Sequence, residues 1–382
     1  MVSDGISENT QKNNRISSNL PGTIAFIGLG LIGGSIAKAI RKFPRRYRLI
    51  AWNPHADRVD AAIEEGVIDV RLESLTDPLL QEADIIYLCA PVEKNRENLE
   101  TILPLIKDSA IVTDIGSVKT DIHEAAIRLG IEDKFVGGHP MAGSERTGYF
   151  ASKDHLLENA YYVITASDGA DEARIRRMAA FAAGIDAIPI RMDYREHDRI
   201  VAAISHVPHV IAASLVHLVE DNDNDEHLMK TIAAGGFKDI TRIASSSPQM
   251  WEEICMTNGA NITDFLDKFI DSLSRTKQVI ESRQAGAVER FFAGARDYRD
   301  SFIEASSGPI KKVYALHIDI ADEPGVIASV ATLLAVHTIN IRNIGITHNR
   351  EVESGALRIE VGTAEDAETA RRVLTQHGYT VS

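Results

Sequence analysis

Cysteine is almost missing from this chain, with only Cys89 and Cys255 among 382 residues. Neither a disulfide framework nor a CxxC motif is possible, which excludes a stapled secreted scaffold and fits a reducing compartment, the cytoplasm. Both thiols are expected to act as small buried hydrophobes. Positive charge is also in deficit: 41 Lys+Arg face 55 Asp+Glu, a formal net charge of -14. Such a chain repels a long phosphate backbone, so no nucleic-acid partner is expected. Repeats and low-complexity tracts are missing, and a composition 44% hydrophobic and 25% charged excludes the disordered and collagen-like classes. Residues 1–20 lack the apolar core and small-residue cleavage site of a secretory signal and are expected to form a disordered tail.

Long hydrophobic runs are missing but for one. Ile200–Val219 carries no Lys, Arg, Asp or Glu and has about the length of a membrane span. It also holds Ser205, His206, Pro208, His209, Ser214 and His217, which are costly in hydrocarbon without partners. We therefore expect a buried helix of a soluble protein and no membrane partner. So long an uncharged stretch exceeds what one small helical domain covers, so a second subunit is expected to bury part of it in a homodimer.

What is present divides into three regions, as the length requires, since domains usually run ~100–200 residues. From Thr23 to about Pro189, β-rich runs alternate with helical stretches, the pattern of a parallel sheet flanked by helices. The runs are Thr23–Ile27, Arg48–Trp52, Asp84–Leu88, Ala110–Thr113, Lys134–Gly137, Tyr161–Ile164 and Asp186–Ile190. Between about Arg195 and Arg299 the strand signal vanishes and apolar residues recur at helical spacing. Ser301–Pro309, with its Ser-Ser-Gly-Pro, reads as a linker. Beyond Lys311 the order is strand, helix, strand, strand, helix, strand, a ferredoxin-like βαββαβ pattern with the second strand at Ile339–Thr347.

The first chemical signal is Gly28-Leu29-Gly30-Leu31-Ile32-Gly33, placed directly after an apolar run and opening an Ala- and Ile-rich helix. In that context GxGxxG marks a dinucleotide site: Gly28 permits the turn, Gly30 lets backbone approach pyrophosphate, and Gly33 allows close helix–strand packing. The helix N-terminus, with Leu31 and Ile32, faces the phosphates. At the ribose-reading position stands Asn53, which bonds a diol but does not repel a 2′-phosphate as a carboxylate would. NAD is favoured, with His55 and Arg58 as the residues able to read NADP instead.

The densest cluster runs from Thr113 to Ser144 and begins at the carboxyl ends of two expected strands, where open α/β sheets place their ligand crevice. It contains Asp114-Ile115-Gly116-Ser117-Val118-Lys119 and Gly138-His139-Pro140-Met141-Ala142-Gly143-Ser144. His139, between a Gly pair and a proline, is expected on a rigid loop. The helical region adds Glu196-His197-Asp198, Ser205-His206-Val207-Pro208-His209 and Gly235-Gly236-Phe237-Lys238-Asp239-Ile240-Thr241-Arg242. No metal is expected: there is no HExxH or paired Cys, and Pro208 is expected to interrupt helical register between His206 and His209. Arg242 has the planar guanidinium suited to bidentate carboxylate recognition, although an interdomain ion pair is the competing reading.

Together these motifs resemble the prephenate dehydrogenase family over roughly Thr23 to Asp300. From Lys311 the chain, with Asp322-Glu323-Pro324-Gly325 at a strand-to-helix turn, is similar to an ACT regulatory domain. The resemblance implies a Rossmann-like dinucleotide-binding domain at 21–192, a helical substrate and dimerisation domain at 193–300, a linker at 301–311 and an ACT domain at 312–382. It implies oxidative decarboxylation of prephenate to 4-hydroxyphenylpyruvate with NAD, on the route to tyrosine. His139 then corresponds to the base at the substrate hydroxyl, with His206 and His209 as fallbacks. Ser117 orients that hydroxyl or the nicotinamide, His209 contacts the far end of the substrate, and Arg242 binds a carboxylate. Ser144, Lys238 and Trp251 are weaker substrate contacts, and Pro91 joins the cofactor site. In the ACT-like region Pro324, Gly325, Asn340 and Asn343 are the expected effector contacts, with L-tyrosine the expected effector. An arogenate-using or dual-specificity enzyme, and a non-catalytic nucleotide or amino-acid sensor, are the alternatives.

Overall fold

Strand β1 (Thr23–Ile27) shows why the first part of the chain folds as it does. Ile24 and Phe26 enter one core, Ala25 and Ile27 another, and all four are fully buried. A strand apolar on both faces belongs inside a parallel sheet with helices on either side. The computed structural model describes residues 22–43, 47–143, 146–305, 314–321, 323–348 and 354–381. The expected tail at 1–20 lies outside them. After β1 come α1 (Leu31–Ile40), β2 (Arg48–Trp52), α2 (Ala56–Glu64), β3 (Val70–Arg71), β4 (Ile85–Leu88), α3 (Val92–Ile102), β5 (Ile111–Asp114) and α4 (Thr120–Arg128). The sheet order is β3-β2-β1-β4-β5, with every pair parallel. The chain moves outward from β1 to β3 and then returns to the other side of β1, so the winding reverses between β1 and β4. Ligand crevices open outside the strands' carboxyl ends at such a reversal.

The later strands do not extend this parallel sheet, a correction to the sequence reading. β6 (Gly137–Pro140) pairs antiparallel with β7 (Tyr161–Ala166), and β7 pairs parallel with β8 (Ile188–Asp193) across α5 (Glu172–Gly184), making a separate three-stranded sheet. A bridge from Val112 to Phe135 joins the two sheets. The strand expected at Lys134–Gly137 starts only at Gly137, because close packing outweighs β-propensity here. A β-carbon on Gly137 would lie 2.2 Å from Thr165 Oγ1, and one on Gly138 would lie 2.7 Å from the Asp114 carbonyl. Only glycine lets β6 pass that close to β5 and β7.

The helical region is α6 (Tyr194–Val201), a π-helical turn (Ala202–His206), α7 (Val207–Asn222), α8 (Leu228–Ile232), α9 (Gly235–Thr241), α10 (Pro248–Thr257), α11 (Gly259–Ser282) and α12 (Ala287–Ala305). Pro208 was expected to interrupt the helix, yet Tyr194–Asn222 is one continuous helix. In the wide turn Val207 N–H reaches back to Ala202 O, so Pro208, which lacks a donor, follows a turn where the usual i−4 ladder is already altered. The expectation that this helix is buried is not met within one chain. Of its apolar stretch 28% is buried, and Ile204 and Leu218 are 63% and 58% exposed. Val92, Val118, Ala202, Val207, Ile254 and Ile262 form a core between the helices and the parallel sheet's loops. Cys89 and Cys255, expected as small buried hydrophobes, are free, partly buried and packed against core clusters.

The chain divides into two compact units, Met1–Lys277 and Gln278–Ser382. In the second, α12 runs on through Ala305, into the segment expected as a linker. There follow β9 (Tyr314–Ala321), α13 (Val326–Val336), β10 (Ile341–His348), β11 (Ser354–Val361), α14 (Ala364–Gln376) and β12 (Thr380–Val381). Their sheet order, β10-β11-β9-β12 with antiparallel pairs, is the ferredoxin-like arrangement expected. Its core includes Leu316, Ile318, Val330, Leu334, Leu357 and Ile359. Asn343 is exposed on β10, but Asn340 precedes that strand rather than belonging to it. Pro324 and Gly325 are exposed at the start of α13, while Asp322 lies outside the described residues.

Candidate active site

The carboxyl edge of the parallel sheet carries the dinucleotide turn. Gly28 adopts φ +93°, and a β-carbon there would lie 2.9 Å from the Cys89 backbone. Around Gly30 the equivalent space is open. No side chain caps α1 and its first turn holds no acidic residue, so its free N–H groups and positive end are left for an anion. Gly33 passes Cys89 so closely that a β-carbon would meet Sγ at 3.0 Å. Asn53, buried after β2, accepts the His55 N–H at 2.9 Å through Oδ1, which leaves its amide N–H to offer a ribose. Pro91 opens α3 after β4, and Ser117 follows β5, so four adjacent strand ends share this edge. This cradle, bare at Gly30 and uncapped at α1, fits a dinucleotide pyrophosphate.

A cavity of about 490 Å³ is lined by Ser117, His139, Ser205, His206, His209, Arg242 and Trp251, together with Pro140–Gly143 and Ser245–Ser247. The structure thus brings together six of the residues singled out in the sequence: Ser117, His139, His206, His209, Arg242 and Trp251. Lys238 is not among them. It is exposed on α9 and does not line the cavity, because Arg242 lies one turn further along and takes that place. Ser144 lies outside the described residues. His139 sits in strand β6, not on a loop as expected, held by the close packing of its glycine neighbours. The π turn carries Ser205 and His206 into the cavity, and His209 follows on α7. His209 stacks on Trp251 at 4.0 Å between ring centroids, and the buried Trp251 Nε1 has no hydrogen-bond partner among the described residues.

The hydrogen bonds around His139 form a chain. His139 Nδ1 lies 2.8 Å from His197 Nε2, and His197 Nδ1 lies 2.8 Å from Asp198 Oδ1. Asp198 accepts the Lys119 N–H at 2.8 Å and the Thr120 N–H at 2.7 Å, at the start of α4. Both His197 and Asp198 are fully buried. Burial works to raise the Asp198 carboxyl, but hydrogen bonds from His197 and Thr120 hold it below the usual carboxylate range. Asp198 is therefore an acceptor, which puts a proton on His197 Nδ1; in the neutral ring His197 Nε2 is then the acceptor of His139 Nδ1–H. The remaining nitrogen of His139, Nε2, carries a lone pair. Burial first, with the nearby Lys119 ammonium adding to it, pushes the His139 imidazole well below its ordinary value, so it is neutral at physiological pH. Beneath it the fully buried Lys119 ammonium bonds Asp114 and, at 2.7 Å, the Gly138 carbonyl.

The neighbouring histidines are placed differently. His206 Nδ1 lies 3.1 Å from Asn258 Nδ2, which donates, so the neutral ring carries its proton on Nε2 and offers no lone pair to the cavity. Burial foremost lowers its pKa to about 4. His209 donates through Nδ1 to the Ser205 carbonyl at 2.8 Å. The sequence alone gives Glu196-His197-Asp198 and Lys119 no role. Among the described residues no group of three metal-ligating side chains converges.

The comparisons with known proteins agree with one another. The prephenate dehydrogenase nucleotide-binding domain family matches residues 36–190, and the prephenate dehydrogenase dimerization domain family matches residues 193–294. Prephenate dehydrogenase of Bacillus subtilis (strain 168) is 39% identical over 354 residues, covering 92% of this chain and 95% of that protein. Among solved structures, prephenate dehydrogenase from A. aeolicus in complex with hydroxyphenyl propionate and NAD+ superposes with a TM-score of 0.69 at 27% identity, covering 73% of this chain and 98% of that one. Synechocystis arogenate dehydrogenase gives 0.67 at 29% identity, covering 73% and 99%. With relatives aligned along nearly its whole length and both constituent domains matched, the chain belongs to the prephenate dehydrogenase family.

Proposed function

We propose that the chain oxidatively decarboxylates prephenate to 4-hydroxyphenylpyruvate with NAD, in tyrosine biosynthesis in the cytoplasm. The observation that carries this reading is the cavity itself, which joins a neutral His139 with a bare Nε2, the Ser117 hydroxyl and the Arg242 guanidinium. Gly28, Gly30, Gly33, Leu31, Ile32, Asn53 and Pro91 hold the cofactor. When bound, the nicotinamide supplies the acceptor for the hydride of the carbinol carbon. His139 Nε2 accepts the hydrogen bond of the substrate hydroxyl as its C–O bond becomes a carbonyl. Ser117 orients that hydroxyl. The C–C bond to the ring carboxylate breaks, CO2 leaves, and its electron pair completes the aromatic ring. Arg242 binds a substrate carboxylate, with the partnerless Trp251 N–H and His209 contacting the same molecule.

The exposed apolar residues Ile204, Leu218 and Ile232 support a homodimer through the helical region. The ferredoxin-like unit binds L-tyrosine at Pro324, Gly325, Asn340 and Asn343 and lowers activity. In support, Gly325 adopts φ +95° and no side chain caps α13, leaving helix N–H groups for a carboxylate. One assay tests the whole reading: NADH formation by the full chain with prephenate, then arogenate, each with and without L-tyrosine. Turnover of prephenate that tyrosine suppresses is expected. Turnover of arogenate alone would reassign the substrate, and indifference to tyrosine would remove the sensor role.

A further inference from the structure

We propose that His197 and Asp198 are positioning residues that set the ring tautomer of His139, keeping its proton on Nδ1 and its lone pair on the Nε2 that faces the cavity. The proposal rests on His139 acting at the substrate hydroxyl. A neutral imidazole free of partners has two tautomers, and only one of them presents an acceptor at Nε2. The choice here is made two residues away. Asp198, ionised and fully buried, can only accept, so the proton of His197 lies on Nδ1, 2.8 Å from the carboxylate. With His197 a neutral imidazole, its Nε2 is left as an acceptor, 2.8 Å from His139 Nδ1, which is then the protonated nitrogen. The rings meet edge to face, at 74° between planes, so the contact fixes the plane of His139 as well as its proton.

The same carboxylate has a second use. Asp198 belongs to α6, yet it receives the N–H groups of Lys119 and Thr120, the first of α4, whose own N-cap side chain makes no such bond. The α4 N-terminus favours a negative charge there, which keeps Asp198 an acceptor when substrate binds. Asn258 Nδ2 donates to the Asp198 carbonyl at 2.8 Å and closes the network from α10. The charged and titratable groups around His139 are His197 on α6, Lys119 before α4, and His206 in the π turn, with Arg242 and His209 across the cavity.

The test compares His197→Leu, which removes the acceptor, with His197→Gln, whose amide oxygen can stand in for Nε2, and uses His139→Asn as reference. Three readouts are taken: kcat for prephenate, the dissociation constant for NAD, and 15N spectra of ring-labelled histidine, with the His139 signals assigned by their loss in His139→Asn. Wild-type His139 is expected to show a protonated Nδ1 and a bare Nε2. His197→Leu is expected to lower kcat on the order of 10²-fold and mix the His139 tautomers while NAD binding stays the same. His197→Gln is expected to restore kcat to within about tenfold of wild type. A kcat for His197→Leu within about threefold of wild type, with His139→Asn inactive, would overturn the proposal and leave the base assignment standing. So would parallel losses of kcat and NAD affinity, which mark a structural role. An active His139→Asn would instead overturn the base assignment. Should His197→Leu not fold, a wild-type His139 signal with protonated Nε2 would still sink the idea.

Discussion

At one wall of the cavity His139 sits on a strand whose glycine neighbours have no room for a β-carbon, and its ring is tied through His197 to a buried carboxylate. At the other, Arg242 stands exposed on a short 3-10 turn after α9. The first wall is ordered before any substrate arrives, so its geometry contributes to the chemical step. Arg242 presents a planar guanidinium suited to a carboxylate and lies apart from that hydrogen-bonded chain, so its effect belongs to recognition. A preorganised wall and an exposed one divide rate from affinity.

This division can be broken most forcefully at His139. His139→Asn should lower kcat by about 10²–10⁴-fold and leave NAD affinity nearly unchanged, as stopped-flow turnover and cofactor titration would reveal. Near wild-type turnover would move the role to another residue, and His206, with its proton on Nε2, is the poorer substitute. On the exposed wall, Arg242→Gln should raise KM for prephenate by about 10–100-fold, the worth of a charged hydrogen bond, and reduce kcat less. Equal effects on both constants would erase the distinction drawn above.

A smaller effect separates the two walls by pH. Because burial and its neighbours depress the His139 imidazole, its active neutral form persists as pH falls and is lost only on crossing the depressed value. An unperturbed histidine would be only about a quarter neutral at pH 6, whereas kcat/KM here should hold near its plateau there. An acid limb centred near 6.5 would show that solvent reaches the ring in the free enzyme and relieves the burial. The smallest change expected is at the cofactor. Asn53→Asp should keep the bond from the His55 N–H and turn a second oxygen to the ribose, widening the ratio of NAD to NADP turnover several-fold. An unmoved ratio would point to His55 or Arg58 as the reader.

The legible parts of this molecule are those set by backbone chemistry. β1 and β2 fall where their apolar runs end, because Gly28 and Asn53 mark the strand ends. The ferredoxin-like order was equally plain, since each run alternates and each helix is bounded. What escaped depends on side chains meeting across the fold. β6 was misplaced because the tolerance for Gly137 and Gly138 comes from Thr165, Asp114 and Tyr162, which are distant in sequence. The π turn is not legible because proline is ordinarily a stop, and nothing in the sequence shows that Arg242 lines the cavity while Lys238 does not. The His197–Asp198 pair is adjacent in sequence, but nothing there shows that it reaches His139, 58 residues away.

The Lys119–Asp114 pair bears on descent as well as on structure. Both side chains are sealed from solvent, so removing either alone strands a charge at a cost of about 3–5 kcal/mol, out of a total stability of about 5–15. A lineage cannot trade these residues one at a time without passing through a poorly folded ancestor. Two coupled substitutions would have to arrive almost together, and a hydrophobic pair of matching volume would then serve the interior as well. The Gly138 carbonyl, bonded by Lys119, would lose its donor in that exchange, and with it one of the anchors beneath His139. The pair is thus a ratchet: once a histidine was seated above it, the way back narrowed.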